Sequence, residues 1–182
     1  SLVDSNAALA ESEFGHYLKI RPSYETTRQA FVAISNGCNK FCTYCVVPYS
    51  RGRQNDRPAA DVLDEVRDLA SHGCVELTLL GQTVNLYNPS DKDTAFRKDN
   101  PLDRSKNCFG ALMWELNQID GIERIHFTAP HPQHMDDETI AALTLPKHVN
   151  YLHLPVQSGS NAVLKRMNRP YTAKEYLNLI NK

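Results

Sequence analysis

The segment "RPAADVLDEVRDLASHGCVELTLLG", Arg57 to Gly81, decides the fold class. Pro58 suits a first helical turn, and Val62, Leu63, Val66, Leu69 and Ala70 recur along one helical face. Gly73 is placed to end that helix. "CVELTLLG", Cys74 to Gly81, follows as an unbroken apolar run of strand length. A helix leading into a wholly apolar strand is the repeating unit of parallel α/β proteins, whose strands are covered on both faces.

The pattern recurs on either side. Upstream, "QAFVAISNG" (Gln29 to Gly37) is a short apolar run stopped by Asn-Gly, read as the first strand. Downstream, "FGALMWELNQIDG" restores helical spacing through Leu112, Leu116 and Ile119, and "ERIHFTA" is a third strand. "MDDETIAALTL" is a helix started by Asp136 or Asp137, and "VNYLHLPV" a fourth strand. "SGSNAVLKRMNR" and "TAKEYLNLINK" close the chain with helical patterns. The polar stretch from Gln82 to Asn107 is too long for a plain connection and reads as a functional or mobile loop. Residues 1–29 are polar and without period, a lead-in or linker, and residues 30–182 form the ordered domain. The expectation is an α/β fold, a partial parallel (β/α) barrel of about four βα units.

Composition narrows the function. An apolar share of 41% and a charged share of 23% fit a soluble globular protein. No run reaches the ~18 apolar residues of a membrane-spanning helix, and no secretory leader is read. A net charge of -1 excludes bulk polyanion binding as the main activity, while local basic patches remain open. Five cysteines, an odd and clustered set, favour reduced thiols over a disulfide framework. The chain opens on Ser1 and ends at Lys182 within a helical pattern, which reads as an excised piece.

In parallel α/β folds, ligands gather beyond the carboxyl ends of the strands. Those ends carry Asn36-Gly37-Cys38, Gly81-Gln82-Thr83, Thr128-Ala129-Pro130-His131 and Pro155-Val156-Gln157-Ser158. The first opens "NGCNKFCTYCVVPYSRGR", with Cys38, Cys42 and Cys45 inside eight residues. Three readings compete. The thiols lie at one-face helical spacing and suit a packed stripe, although Gly37 and Pro48 bound the window as a loop. A structural zinc site needs a fourth protein ligand, from Cys74, Cys108 or a histidine. Three thiolates also suit three corners of an iron-sulfur cubane, leaving its fourth iron open for a ligand.

Other polar clusters are less specific. Arg51, Arg53 and Arg57 suit RNA phosphate or a cofactor carboxylate, and equally a salt-bridged loop. His131 and His134 lack partners at metal-ligand spacing and read as ordinary histidines, as do His126 and His153 in their strand patterns. Cys74 and Cys108 read as ordinary thiols.

Cys-x3-Cys-x2-Cys, with Tyr44 just before the last cysteine, resembles the signature of the radical S-adenosylmethionine (radical SAM) superfamily. "GCNKFCTYCVVPYSRGR", "LTLLGQTVNLY", "RIHFTAPHP" and "LHLPVQSGSNAVLKRMNRPYT" together resemble its methylthiotransferases, in the same order from about Phe31 onward. "LLGQTVN" is closer to the branch acting on tRNA isopentenyladenosine than to the threonylcarbamoyladenosine or ribosomal-protein branches.

The resemblance implies the barrel of the radical SAM type, with Cys38, Cys42 and Cys45 on a 4Fe-4S cluster. Its open iron would chelate the amino and carboxylate groups of S-adenosylmethionine, whose reductive cleavage gives methionine and a 5′-deoxyadenosyl radical. Tyr44 matches the aromatic position near the adenine, and Gly81 and Gln82 the strand end that meets the methionine amino group. Thr128, Gln157 and Ser158 would reach ribose or carboxylate, with Ser158 equally suited to cap the next helix. The implied activity is methylthiolation of C2 of N6-isopentenyladenosine beside the anticodon, using two S-adenosylmethionine molecules. The implied partners are the tRNA anticodon loop and an electron donor such as a flavodoxin or ferredoxin, in the cytoplasm and with no membrane. Family enzymes add an N-terminal domain with a second cluster and a C-terminal RNA-binding module, which this sequence does not contain. The chain alone is therefore expected not to modify RNA, and the edge of its fourth strand is expected to invite self-association.

Overall fold

The computed structural model describes residues 28–105 and 107–182. The lead-in read over residues 1–29 thus lies outside the described residues up to position 27. In chain order the elements are β1 (Gln29–Ala33), β2 (Ser35–Asn36), α1 (Val47–Ser50), β3 (Asn55–Asp56), α2 (Ala59–Ser71) and β4 (Glu76–Leu80). A 3-10 turn (Val84–Leu86) leads to α3 (Lys92–Ala95), α4 (Phe109–Asn117) and β5 (Arg124–Phe127). A second 3-10 turn (Pro132–His134), α5 (Asp137–Ala142), α6 (Asn161–Arg166) and α7 (Ala173–Ile180) complete the order.

The main sheet is parallel, in the order β1-β4-β5, with Gln29, Glu76 and Arg124 in register across its amino end. Ala30, Val32, Leu77, Leu79, Ile125 and Phe127 point to one face and are buried with Leu63, Val66, Leu112 and Leu116 of α2 and α4. Phe109 and Phe127 meet edge to face at 5.0 Å. Each such side chain contributes about 1.5–3 kcal/mol when fully buried. The opposite face is open: Phe31 is 60% exposed. The strands are thus covered on one face rather than both, as the inner wall of an incomplete barrel would be.

The fourth strand of the sequence reading does not form. Ile125 donates to the Lys147 carbonyl at 2.7 Å and accepts from Val149 at 3.1 Å, a single parallel bridge at His148. The Tyr151 amide then folds back on the Val149 carbonyl at 2.7 Å, and Pro155 has no N–H to extend a ladder. Apolar character brought "VNYLHLPV" to the sheet edge without completing the pairing.

The long segment after β4 is also other than expected. Val84, Tyr87 and Phe96 are buried, and the Tyr87 hydroxyl donates to the Arg57 carbonyl at 2.7 Å. The Asp91 carboxylate accepts from the Ala59 and Ala60 amides at 2.8 and 2.9 Å, capping α2 from outside the helix. This segment is a packed connection that fixes the start of α2. Asp136 caps α5 by accepting from the Thr139 amide at 2.8 Å, as read.

Candidate functional site

Three strand ends converge on the loop after β1. The loop leaves and returns through a narrow neck, in which β2 and β3 pair antiparallel (Ser35 with Asp56, Asn36 with Asn55). The Cys38 amide donates to the Gly52 carbonyl at 3.2 Å. Gly37 sits at φ +73, and a Cβ there would lie 2.1 Å from the Arg53 carbonyl oxygen. Only glycine allows this closure. Between Cys38 and Cys45 the chain is loop and turn, with the Cys45 amide on the Cys42 carbonyl at 3.0 Å. The packed helical stripe is therefore excluded. Pro48 starts the short α1 beyond it.

The loop is held on its other side by the turn that follows α6. Thr43 donates through its amide to the Met167 carbonyl (3.3 Å) and through its hydroxyl to the Arg166 carbonyl (3.0 Å). The Asn168 side-chain amide donates to the Phe41 carbonyl at 2.7 Å. Arg169 donates to the Tyr44 hydroxyl and lies over its ring. The cysteine loop thereby caps carbonyls that the end of α6 leaves unpaired.

All three thiols are free. Cys38 is buried, and its sulfur meets the Lys40 amide and the Thr83 hydroxyl, each at 3.3 Å. Burial pushes the Cys42 thiol up, partly opposed by the Arg169 guanidinium. Among the described residues no three Cys, His, Asp or Glu side chains are gathered as tightly as one metal ion requires. Each thiol of a polynuclear cluster binds a different iron, so that arrangement does not need one shared point. Soft donors on an exposed loop, hydrogen bonds to sulfur and two cations nearby are the environment that a thiolate-ligated anionic cluster takes.

Around this loop stand the remaining candidates. Gly81 ends β4, and a Cβ on it would lie 2.6 Å from the Ser35 hydroxyl oxygen. Gln82 is exposed beside buried Thr83. Thr128, half-buried after β5, donates its amide to the Leu79 carbonyl at 3.2 Å. Gln157 is exposed at φ +69, the centre of a tight turn closed by the Ser158 amide on the Val156 carbonyl at 2.9 Å. Ser158 does not cap α6. Ser160 holds that position, and the Ser158 hydroxyl accepts from the Ser160 amide at 3.1 Å. The basic cluster divides: Arg57 pairs with Glu65 and reaches the Ala33 and Asp61 carbonyls, a structural role, while Arg51 and Arg53 are exposed.

Several groups at this end escaped the sequence reading. The buried Asn85 side chain donates to the His131 carbonyl (3.0 Å) and accepts from the His131 amide (2.8 Å). His131 is only 6% exposed, and burial lowers its pKa to about 3, with Arg169 and Lys40 adding to the effect. Burial lowers His134 to about 4. Lys40 reaches Gln133 at 2.7 Å, and the His131 ring meets Tyr171 edge-on at 5.8 Å. Tyr171 in turn donates to the Val156 carbonyl at 3.1 Å, joining the Gln157 turn to this cluster. Lys40, Asn85, His131 and Tyr171 all lie within the four motif blocks, which gave them no individual role, and the two histidines were read as ordinary.

A half-barrel of parallel strands, with a three-cysteine loop at their carboxyl ends and no fourth thiol, defines the class, and comparison agrees. The family model of the radical SAM superfamily matches residues 32–182, and the chain belongs to that superfamily. The chain is 48% identical over 166 residues to a tRNA-2-methylthio-N(6)-dimethylallyladenosine synthase of Roseobacter denitrificans, covering 91% of this chain and 35% of that protein. It is 47% identical over 160 residues to the enzyme of the same name from a Thermoanaerobacter species, covering 87% and 31%. The chain thus spans about a third of the length of these relatives.

Among solved structures, the methyltransferase TsrM from Kitasatospora setae superposes with a TM-score of 0.60 at 16% identity, over 85% of this chain and 28% of that one. The cobalamin-dependent enzyme OxsB gives 0.59 at 14%, over 82% and 21%. These two likenesses speak for the fold alone. The superfamily implies a 4Fe-4S cluster and S-adenosylmethionine, and the thiol set with its hydrogen-bond donors fits the cluster.

Proposed function

We propose that this chain is the cofactor-binding part of a tRNA methylthiotransferase that modifies C2 of N6-isopentenyladenosine beside the anticodon. The carrying observation is the cysteine loop itself, clamped at its neck by β2 and β3 and open at the strand ends. The names of the similar enzymes supply the substrate. In this reading residues 30–182 are the N-terminal part of the barrel domain.

When bound, the cluster and S-adenosylmethionine supply reductive carbon-sulfur cleavage and the radical that activates an unreactive C–H bond. The chain's own residues position and protect. Cys38, Cys42 and Cys45 hold the cluster, while the Lys40 amide and Thr83 hydroxyl stabilise the Cys38 sulfur. Tyr44 offers a ring for the adenine. Gly81 and Gln82 take the amino group, and Thr128, Gln157 and Ser158 the ribose and carboxylate. Exposed Arg51 and Arg53 suit RNA phosphates. The target base is unpaired in an anticodon loop, so reaching it costs little unstacking.

A low-potential donor such as a flavodoxin or ferredoxin would reduce the cluster, and the cytoplasm is the compartment that fits tRNA. Among the described residues no helix is long and apolar enough to cross a membrane. The β5 edge, paired through one bridge, leaves room for a second copy, and a concentration-dependent sedimentation coefficient checks that.

The test is the whole protein carrying this chain, reconstituted anaerobically and given S-adenosylmethionine and a reductant. Three substrates are offered: tRNA with isopentenyladenosine, tRNA with threonylcarbamoyladenosine, and ribosomal protein. Methylthio product on the first alone is expected. Product only on either of the others contradicts the substrate assignment.

A further inference from the structure

The turn between α6 and α7 clamps the cysteine loop and also walls an open cavity of about 420 Å³. Asn161, Lys165, Asn168, Arg169, Tyr171 and Glu175 are among its lining residues. Sites for small organic molecules have volumes of roughly 300–1,000 Å³, so a single nucleotide is within its capacity. None of the residues read for S-adenosylmethionine lines it.

Two amides of the lining are each half used. The Asn161 oxygen accepts from the Ala173 amide at 2.9 Å, which leaves its NH2 group free among the described residues. The Asn168 NH2 group donates to the Phe41 carbonyl at 2.7 Å, which leaves its oxygen free in the same way. Lys165 is exposed in the last turn of α6 and makes no ion pair among the described residues. Glu175 is the one acid of the lining, and its carboxylate accepts from the Thr172 amide and hydroxyl at 2.7 and 2.8 Å. No Asp or Glu occurs from Thr139 to Lys174, a stretch that ends with Lys165, Arg166, Arg169 and Lys174. A cation, a free donor and a free acceptor thus share one open cavity.

We propose that this cavity is a specificity subsite for one RNA nucleotide adjoining the target adenosine, with Lys165 on its phosphate and Asn161 and Asn168 on its base edge. This deepens the reading above and rests on it. A base edge presents donors and acceptors side by side, which the two half-used amides match. A bare phosphate or carboxylate has only acceptors and would leave the Asn168 oxygen without a donor. The nucleotide is a neighbour of the target because the same turn holds the cysteine loop at Phe41, Thr43 and Tyr44. The phosphate contact positions the strand, and the base contacts select the sequence.

The test uses the cluster-loaded whole protein and an anticodon stem-loop RNA carrying isopentenyladenosine, intact or with either neighbour of the target made abasic. Asn161→Asp keeps the acceptor for the Ala173 amide and removes the free donor, and Lys165→Met removes the charge from an exposed site. Fluorescence anisotropy reads RNA affinity against salt, and equilibrium dialysis reads S-adenosylmethionine, alongside iron content and circular dichroism. In the wild type one of the two abasic RNAs is expected to bind about ten-fold more weakly than the intact RNA. In Asn161→Asp that abasic RNA and the intact one are expected to bind alike. Lys165→Met is expected to weaken every RNA and to lower the salt slope by about one, with S-adenosylmethionine affinity unchanged in both variants. Equal binding of all three RNAs by the wild type, or an abasic loss that persists in full in Asn161→Asp, overturns the proposal. So does a defect confined to S-adenosylmethionine, which would give the cavity to the cofactor. RNA affinity indifferent to both substitutions sinks this proposal alone, whereas a wild type that binds S-adenosylmethionine but none of the RNAs sinks the functional reading with it.

Discussion

The Arg169 guanidinium lies over the Tyr44 ring at 5.7 Å from its centroid and donates from Nε to the Tyr44 hydroxyl at 3.2 Å. This contact joins the cysteine loop to a turn more than a hundred residues later. Its neighbour Asn168 sits at φ +56 and donates to the Phe41 carbonyl. Asn168→Ala removes that bond and forces an alanine into the left-handed region, an expected loss of about 1–2 kcal/mol. Asn168→Gly removes the bond only and is expected to cost less than about 1 kcal/mol. Urea denaturation gives both values, and faster exchange of amides 41–45 locates the effect in the loop.

Gly37→Ala is expected to be far more damaging. The added carbon meets backbone, 2.1 Å from the Arg53 carbonyl oxygen, and the φ of +73 is strained for alanine. The neck must open, at a cost of about 3 kcal/mol or more. Thermal denaturation checks the stability, and iron bound after anaerobic reconstitution checks the consequence for Cys38.

Asn85→Ala leaves the His131 amide and carbonyl without partners in a buried setting. A loss of about 2–4 kcal/mol is expected for the two bonds. Asn85→Asp keeps the acceptor and loses the donor while burying a charge, so it is expected to recover none of the loss. Urea midpoints of the two variants decide the matter.

Acid should weaken the fold early. Burial lowers His131 to about 3 and His134 to about 4, below the ordinary 6.5. The unfolded chain therefore takes up protons first as pH falls. The contribution of these rings is complete above about pH 6.5 and shrinks as pH drops through the interval toward about 3–4. Between about pH 6.5 and 5, before carboxylates titrate, the urea midpoint is expected to fall. In His134→Gln that slope is expected to be shallower.

What the residues disclosed on their own follows from locality. Apolar runs and the Gly and Pro that bound them are local signals, so β1, β4, β5, α2 and the cysteine loop were legible. The fourth strand was not, because the turn at Tyr151 depends on which carbonyl its amide finds. Asp91 caps α2 from some thirty residues away, and no pattern along the chain announces it. His131 was read as ordinary because spacing searches for ligands nearby in sequence. Its relevant neighbours, Lys40 and Arg169, arrive from two other loops. Of the two roles read for Ser158, cofactor contact or helix cap, the cap falls two residues further on, at Ser160.

The central claim is that Cys38, Cys42 and Cys45 hold a cluster with one open iron. The direct measurement is anaerobic reconstitution with iron and sulfide, followed by electron paramagnetic resonance of the reduced protein with and without S-adenosylmethionine. About four irons and four sulfides per three-cysteine site are expected, with a signal that shifts when S-adenosylmethionine is added and is lost in Cys42→Ala. Stoichiometric zinc without acid-labile sulfide, or a full cluster in Cys42→Ala, would contradict it.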